Sequence, residues 1–448
     1  MDDRVTVIGA GLAGSECTLQ LARRGVQVRL VEQRPAHQSP AHHTDLFAEL
    51  VCSNSLKSTK PDSAAGLLKR ELECMGSYLL AIARECAVPA GGALAVDRTE
   101  FSRRVTEAIE ANPLVEVVRE EAVAIPEGHV VIAAGPLCSD DLFEAISDLV
   151  GGERMSFYDA AAPIVDAESL DRSIIFEQSR YCAGEMGDYL NCPMERDEYD
   201  AFMEALLGAE RVIARDFERT DLFCACQPIE EVARTGHDSI RFGALKPVGL
   251  SDPRTGRRPW AAVQLRAENP MRTSYNLVGF QTNLTWPEQR RVFRMIPGLG
   301  EAEFLRYGVM HRNSFVDSPH ALDRTFAVPG TSVRLAGQIT GTEGYVEAIA
   351  SGLLAALNTY AELSGKDAVM LPPTSSLGSL VAYATDPATS DYQPMHVNFG
   401  ILPPLSDSPR KKDERRARFS ERARHDFDGY LSSRPDVFCC EDGGCARG

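Results

Sequence analysis

A chain of 448 residues is too long for one ordinary hydrophobic core and predicts two or three domains. With 44% hydrophobic and 25% charged residues it has the composition of a globular protein, and no apolar run approaches a membrane span. The net charge of −17 speaks weakly against a nucleic-acid partner, and the 12 scattered cysteines lack the spacing of a disulfide framework.

Val5-Thr6-Val7-Ile8 reads as a short strand, and Gly9, Gly11 and Gly14 then open a helix. The first glycine allows a tight turn, the second lets backbone approach a pyrophosphate, and the third lets helix and strand pack closely. Gly9, Ala10, Gly11, Leu12, Ala13 and Gly14 are therefore the expected phosphate-binding segment, with the positive end of the helix dipole facing the anion. A second strand, Val28 to Val31, ends at Glu32, 18 positions past Gly14 and near the spacing of a carboxylate that binds a ribose hydroxyl. The opening Met1-Asp2-Asp3-Arg4 has no basic n-region and no cleavage site. A cytoplasmic enzyme with reduced thiols is expected.

Ser63 to Glu85 has a helical apolar pattern, and Val130 to Ala134 is a buried strand that ends in a turn at Gly135. From about Pro163 the pattern changes to mixed α+β, with strands expected at Ser239–Gly243 and Ala261–Leu265. The first pattern resumes at Ser332–Gly337 and continues through Gly341-Thr342-Glu343-Gly344-Tyr345 into an apolar helix, Val346 to Leu357. Gly135, Gly337, Thr342, Glu343, Gly344 and Tyr345 thus join the expected cofactor site. Asp367–Ser408 reads as irregular, Pro409 to Leu431 as a charged helix, and the end around Cys439–Cys445 as frayed.

These elements predict an α/β protein. Its Rossmann-like FAD-binding domain, of GR2 type with a doubly wound parallel sheet, is built from residues 1–165 and 317–405. An α+β domain is inserted at 166–316, a charged helix follows at 406–432, and 433–448 is expected to be a disordered tail.

Arg410 to Arg424 carries eight Lys or Arg against three Asp or Glu, opposite in sign to the whole chain. Arg254, Arg257, Arg258 and Arg266 form a second cluster, and Arg290, Arg291 and Arg294 a third. Such runs are usually solvated faces; their distribution in space decides whether they bind RNA.

Cys224-Ala225-Cys226 has no second cysteine pair at finger-like spacing, so no metal is expected. Two thiols have settings suited to chemistry. Cys52 is followed by Ser53, Asn54, Ser55 and Lys57, and Cys226 precedes a helix start at Glu230-Glu231. A nearby cation or a helix N-terminus lowers a thiol pKa, although a buried thiol is more often simply packed.

At this point the chain resembles the folate- and FAD-dependent tRNA uracil-5-methyltransferases, relatives of the larger glucose-inhibited-division-type tRNA-modifying flavoproteins. The matching segments are Gly9–Gly14, Glu49–Ser58, Gly187–Met194, Cys226–Glu230, Leu245–Leu250, Val278–Leu284, Met310–Phe315, Gly337–Glu347 and Asn398–Pro404. Gln227 stands where an apolar residue is expected, Ala134 where threonine is, and the stretch past Pro435 has no counterpart. The resemblance implies formation of 5-methyluridine at position 54, in the T loop of tRNA. It implies 5,10-methylenetetrahydrofolate as carbon donor and FAD recharged by NADH or NADPH as reductant. It further implies Cys226 as the thiolate that adds to uracil C6 and Cys52 as proton acceptor or resting-state partner of the flavin-bound carbon, the sequence leaving the reverse assignment open. Partners are then the tRNA T arm, folate and a nicotinamide dinucleotide, with no membrane; oligomeric state is not specified. The competing readings are the same chemistry on ribosomal RNA, a small-molecule flavin oxidoreductase, and a flavin-bearing RNA-binding or redox-sensing protein without turnover.

Overall fold

The short strand Val5–Ile8 (β1) lies parallel between Val28–Val31 (β2) and His129–Ile132. In this computed structural model residues 4–39, 41–152, 155–180, 187–213, 227–389 and 392–438 are described. Across the sheet the order is Val333–Leu335, His129–Ile132, β1, β2, Val115–Val118, and every pair is parallel. Parallel strands need long crossovers and cover on both faces. The chain leaves this sheet after Ile132 and returns to it at Val333, so its two ends build one sheet.

Leu12–Arg23 (α1) is almost wholly buried and packs on the long helix Tyr345–Leu363. The two backbones touch at Gly352, where a Cβ would stand 2.1 Å from the Ala13 carbonyl oxygen. Buried carboxylates tie further helices to this layer. Glu16 accepts hydrogen bonds from the Ser77 hydroxyl and the Tyr78 and Leu79 amides, capping Tyr78–Glu85. Glu71 accepts from the Ser376 and Leu377 amides at the start of Ser376–Ala384. A carboxylate there satisfies the orphan donors of the first turn.

A second sheet of six antiparallel strands runs Phe176–Glu177, Tyr189–Met194, Ala261–Ala267, Ser274–Leu277, Ile164–Asp166, Phe304–Arg306. It has its own core around Tyr199, Phe202, Phe280 and Phe293. The ladder of Met155–Ala160 with Met310–Phe315 lies where the chain passes between the two sheets.

Three expectations need correction. Ser239–Phe242 is a helical turn, not a strand: Ile240 is buried but Phe242 is 71% exposed, so the apparent alternation never faced a core. Asp367–Ser408 contains the buried helix Ser376–Ala384, masked in sequence by the Pro and Ser residues before it. The tail expected to be disordered from 433 is ordered at least to Phe438: Ser433 ends a long helix and Pro435–Phe438 is a helical turn with Val437 buried, whereas the helical pattern from Ser63 to Glu85 is borne out as Ala64–Cys74 and Tyr78–Glu85.

Candidate active site

The carboxyl ends of β1, β2 and His129–Ile132 open into one cleft, where ligands of open α/β sheets bind. It holds about 1710 Å³ of space not filled by protein, part of it open to solvent. Gly9, Gly11, Leu12, Ala13, Glu32, Gly135, Gly337, Glu343, Gly344, Tyr345 and Cys52 line it. Residues distant in sequence thus meet around one space.

The glycines divide their work as their spacing requires. Gly9 has φ +97°, and a Cβ there would stand 2.6 Å from the Ala133 carbonyl oxygen. At Gly14 a Cβ would stand 1.8 Å from the Gly9 carbonyl oxygen. At Gly11 a Cβ would meet nothing within 4 Å; it would project into the cleft at the start of α1. Ala10, Gly14 and Thr342 shape the turns from behind the lining. The Ala10 amide donates to Glu32, and the Thr342 hydroxyl donates to the Gly337 carbonyl.

Glu32 is clamped. One oxygen accepts from the Ala10 amide at 2.8 Å, the other from Arg34 Nε at 2.8 Å and the Arg34 amide at 3.1 Å. Burial pushes its carboxyl up, but the Arg34 hydrogen bond and charge outweigh it and hold the group below its ordinary value. Arg34 also reaches Glu49 at 3.3 Å. Beside them, His42 Nδ1 lies 2.6 Å from the Ser39 hydroxyl; burial and the Arg34 charge push the ring down to about 4, so it is neutral at pH 7.

On the opposite wall, Glu343 Oε1 accepts from Gln338 Nε2 at 2.6 Å, while Oε2 is buried without a hydrogen-bond partner. Burial and the Asp159 charge push this carboxyl up to about 8. Asn313, which also lines the cleft, has an unpartnered buried Oδ1. Lys57 Nζ is paired with buried Glu347 at 3.0 Å.

Cys52 sits in a loop held from several sides. The Tyr345 hydroxyl oxygen accepts from the Cys52 amide at 2.7 Å and the Ser53 amide at 3.1 Å. Arg98 donates to the Leu50 carbonyl at 2.8 Å, and Arg306 to the Val51 carbonyl at 2.7 Å. The thiol itself points to the Ala160 carbonyl, 3.5 Å away. The two guanidiniums thus hold the two carbonyls that precede Cys52. Sequence reasoning missed Arg34, Asp159, Arg98, Arg306 and Asn313; of these only Arg34, two positions from Glu32, had a local signal.

Cys226 lies outside the described residues. The chain on either side of it is placed: Val212 donates to the Asn283 carbonyl and Ile229 to the Gln281 carbonyl, each at 2.7 Å, and Gln281 lines the cleft. Among the described residues no group of three His, Cys, Asp or Glu could hold a metal.

The basic clusters are unequal. Arg410, Lys411, Lys412, Arg416 and Arg418 are exposed. Arg266 is not a surface cation: it is buried, donating to Asn54 Oδ1 at 2.7 Å, and Arg254 is paired with Asp252.

A family model described as Glucose inhibited division protein A matches residues 4–367. The methylenetetrahydrofolate--tRNA-(uracil-5-)-methyltransferase TrmFO of Geobacter sulfurreducens is 54% identical over 435 residues, 97% of this chain and 100% of that protein. The chain belongs to the TrmFO family. TrmFO of Moorella thermoacetica is 52% identical over 94% of this chain and 97% of its own length, and TrmFO of Bacillus cereus 51% identical over 94% and 96%. Among solved structures, Aquifex aeolicus GidA superposes with a TM-score of 0.68 over 97% of this chain and 77% of its own, at 16% identity. That likeness shows the fold: the chain has the α/β architecture of GidA, with an inserted α+β unit.

Proposed function

We propose that this chain catalyses folate-dependent formation of 5-methyluridine at position 54 of the tRNA T loop. The carbon donor is 5,10-methylenetetrahydrofolate and the reductant is FAD recharged by NADH or NADPH, in a cytoplasmic enzyme. No helix among the described residues is long and apolar enough to cross a membrane. The observation that carries the reading is Cys52, held by its amide at the wall of the cleft lined by Gly9, Gly11 and Glu32, in a chain that matches TrmFO along its length.

The residues present fit a flavin dinucleotide. Gly11 leaves open the space that a Cβ would fill, and Glu343 Oε2 and Asn313 Oδ1 are buried polar atoms without partners in the same cleft. Gly11 and the free amides of α1 would receive the pyrophosphate, and ionised Glu32 lies at the end of β2 where a ribose hydroxyl is bound. When bound, the flavin supplies the electrons that convert the transferred methylene to methyl.

Uracil C5 is a poor nucleophile until something adds at C6. The Cys226 thiolate forms the S–C6 bond, C5 takes the one-carbon unit from methylenetetrahydrofolate, and Cys52 accepts the proton that C5 loses; tetrahydrofolate leaves, and a hydride equivalent from the bound reductant would complete the methyl group before the S–C6 bond breaks. Expulsion of Cys226 then restores the ring. Arg98 and Arg306 keep the Cys52 loop in place through the Leu50 and Val51 carbonyls. The target uridine must be splayed from its loop to reach this depth.

Incubation with labelled methylenetetrahydrofolate, NADPH and either unmodified tRNA or ribosomal RNA, followed by nucleoside analysis, tests the proposal. Label is expected in 5-methyluridine from tRNA; label only in ribosomal RNA, or in neither, contradicts it.

A further inference from the structure

The strand Phe304–Arg306 carries a second feature on its way to the Cys52 loop. Tyr307 stacks between two other rings. Its centroid is 5.3 Å from Phe304 with 14° between the planes, and 5.4 Å from Trp286 with 15°. The column ends outward in Trp286, which is 57% exposed. A lone exposed apolar residue needs no explanation, but three near-parallel rings with a free indole at the end are a different matter.

The column is held rigidly. Gln289, fully buried on the helix Trp286–Phe293, accepts from the Gly308 amide at 2.8 Å and donates to the Gly308 carbonyl at 2.9 Å and the Leu284 carbonyl at 2.8 Å. One side chain thus locks the helix that bears Trp286 to the strand end that bears Tyr307. Gly308 permits this approach, because a Cβ there would stand 3.3 Å from Gln289 Oε1 and 2.7 Å from the Ala161 carbonyl oxygen. Arg290 donates from Nε to the Tyr307 hydroxyl at 2.9 Å, placing a guanidinium at the edge of the column.

The column is also continuous with the active site along both of its segments. Arg306, next to Tyr307, holds the Val51 carbonyl beside Cys52, and Gln281, five positions before Trp286, lines the cleft. We infer that the free face of Trp286 is a stacking platform for a base of the RNA substrate, one that flanks the uridine delivered to the cleft. An aromatic plane accepts any base, and a nearby arginine edge suits the phosphate that follows it. The inference rests on the RNA-modifying reading above.

The test uses flavin-loaded full-length protein and an unmodified tRNA transcript. Trp286→Ala should weaken tRNA binding by roughly 5- to 100-fold with an unchanged salt slope, since stacking displaces no counterions. Trp286→Phe should retain most of the affinity. Tryptophan emission should change when tRNA is added to the native protein but not to Trp286→Phe, which keeps only Trp260. Native-like flavin content in both variants confirms that they fold. Affinity for Trp286→Ala within twofold of the native protein overturns the inference. So does a variant whose only change is in its sedimentation as an oligomer, which would make the ladder a contact between copies. Native protein that binds no tRNA would instead overturn the functional reading.

Discussion

At the scale of single residues, the cleft contrasts positions dictated by backbone with positions dictated by distant partners. Gly9, Gly11, Gly14 and Glu32 were legible because a turn, a close approach and a strand end restrict which residue can stand there. Arg98 and Arg306 were not, because each acts on a backbone carbonyl 48 or 255 positions away, and carbonyls leave no mark in sequence. Thr342 and Tyr345 were legible as parts of a glycine turn, but what they do was not. One holds the Gly337 carbonyl and the other the Cys52 amide. Gly11 gives the sharpest residue-level test. A Cβ at this position meets no protein atom, so Gly11→Val should leave the fold intact while filling the space where phosphate would lie. Purified Gly11→Val protein should melt near the native apoprotein but lose flavin binding by at least about tenfold, which titration with FAD measures. Native FAD affinity in the variant would show that the turn does not meet the pyrophosphate.

At the scale of elements, apolar strands that run into glycine turns were readable, and segments without such a neighbour were not. The strands at Val5–Ile8, Val28–Val31, His129–Ile132 and Val333–Leu335 are largely apolar and rich in β-branched residues, as strands of a covered parallel sheet are. Ser239–Phe242 misled because four residues fit either period. Ser376–Ala384 was hidden because its N-terminus is stabilised by Glu71, on a helix 305 positions earlier. That interaction makes a pH-dependent prediction. Burial pushes the Glu71 carboxyl up to about 7 from an ordinary 4.5, although the Leu377 and Ser376 amides pull it down. The folded protein therefore holds the proton more tightly than the unfolded chain does. The stability linked to this group is full below about pH 4.5 and is lost as pH rises through about 7. Glu71→Gln removes the titration. Its melting temperature relative to the native protein should climb between about pH 5 and pH 8, as thermal unfolding at several pH values would show. Parallel melting curves across that range would mean that Glu71 titrates normally.

At the scale of the whole molecule, the overall acidity conceals an uneven surface. Arg266 belongs to a basic cluster in sequence but is buried against Asn54, so its substitution should disturb packing and not RNA binding. Arg410, Lys412 and Arg416 are exposed. Replacing these three by glutamine should weaken tRNA binding and reduce the dependence of log K on log salt by about 0.7 to 0.9 for each phosphate no longer neutralised. An unchanged slope in filter-binding measurements would mark this helix as a solvated face only.

The molecule as a whole also has to bring together two thiols 174 positions apart in sequence. Cys52 is held at the cleft by Tyr345, and Ile229, three positions after Cys226, donates to the carbonyl of Gln281, which lines the cleft. The most direct test of this account is a covalent trap. A minihelix of tRNA with 5-fluorouridine at position 54 should capture the nucleophilic thiol in the presence of folate and reduced flavin, since fluorine does not leave as a proton does. Native protein and Cys52→Ala should form the adduct, Cys226→Ala should not, and both variants should keep their FAD. An adduct with Cys226→Ala but not Cys52→Ala would reverse the two roles; native methylation rates in both variants would contradict the thiol mechanism altogether.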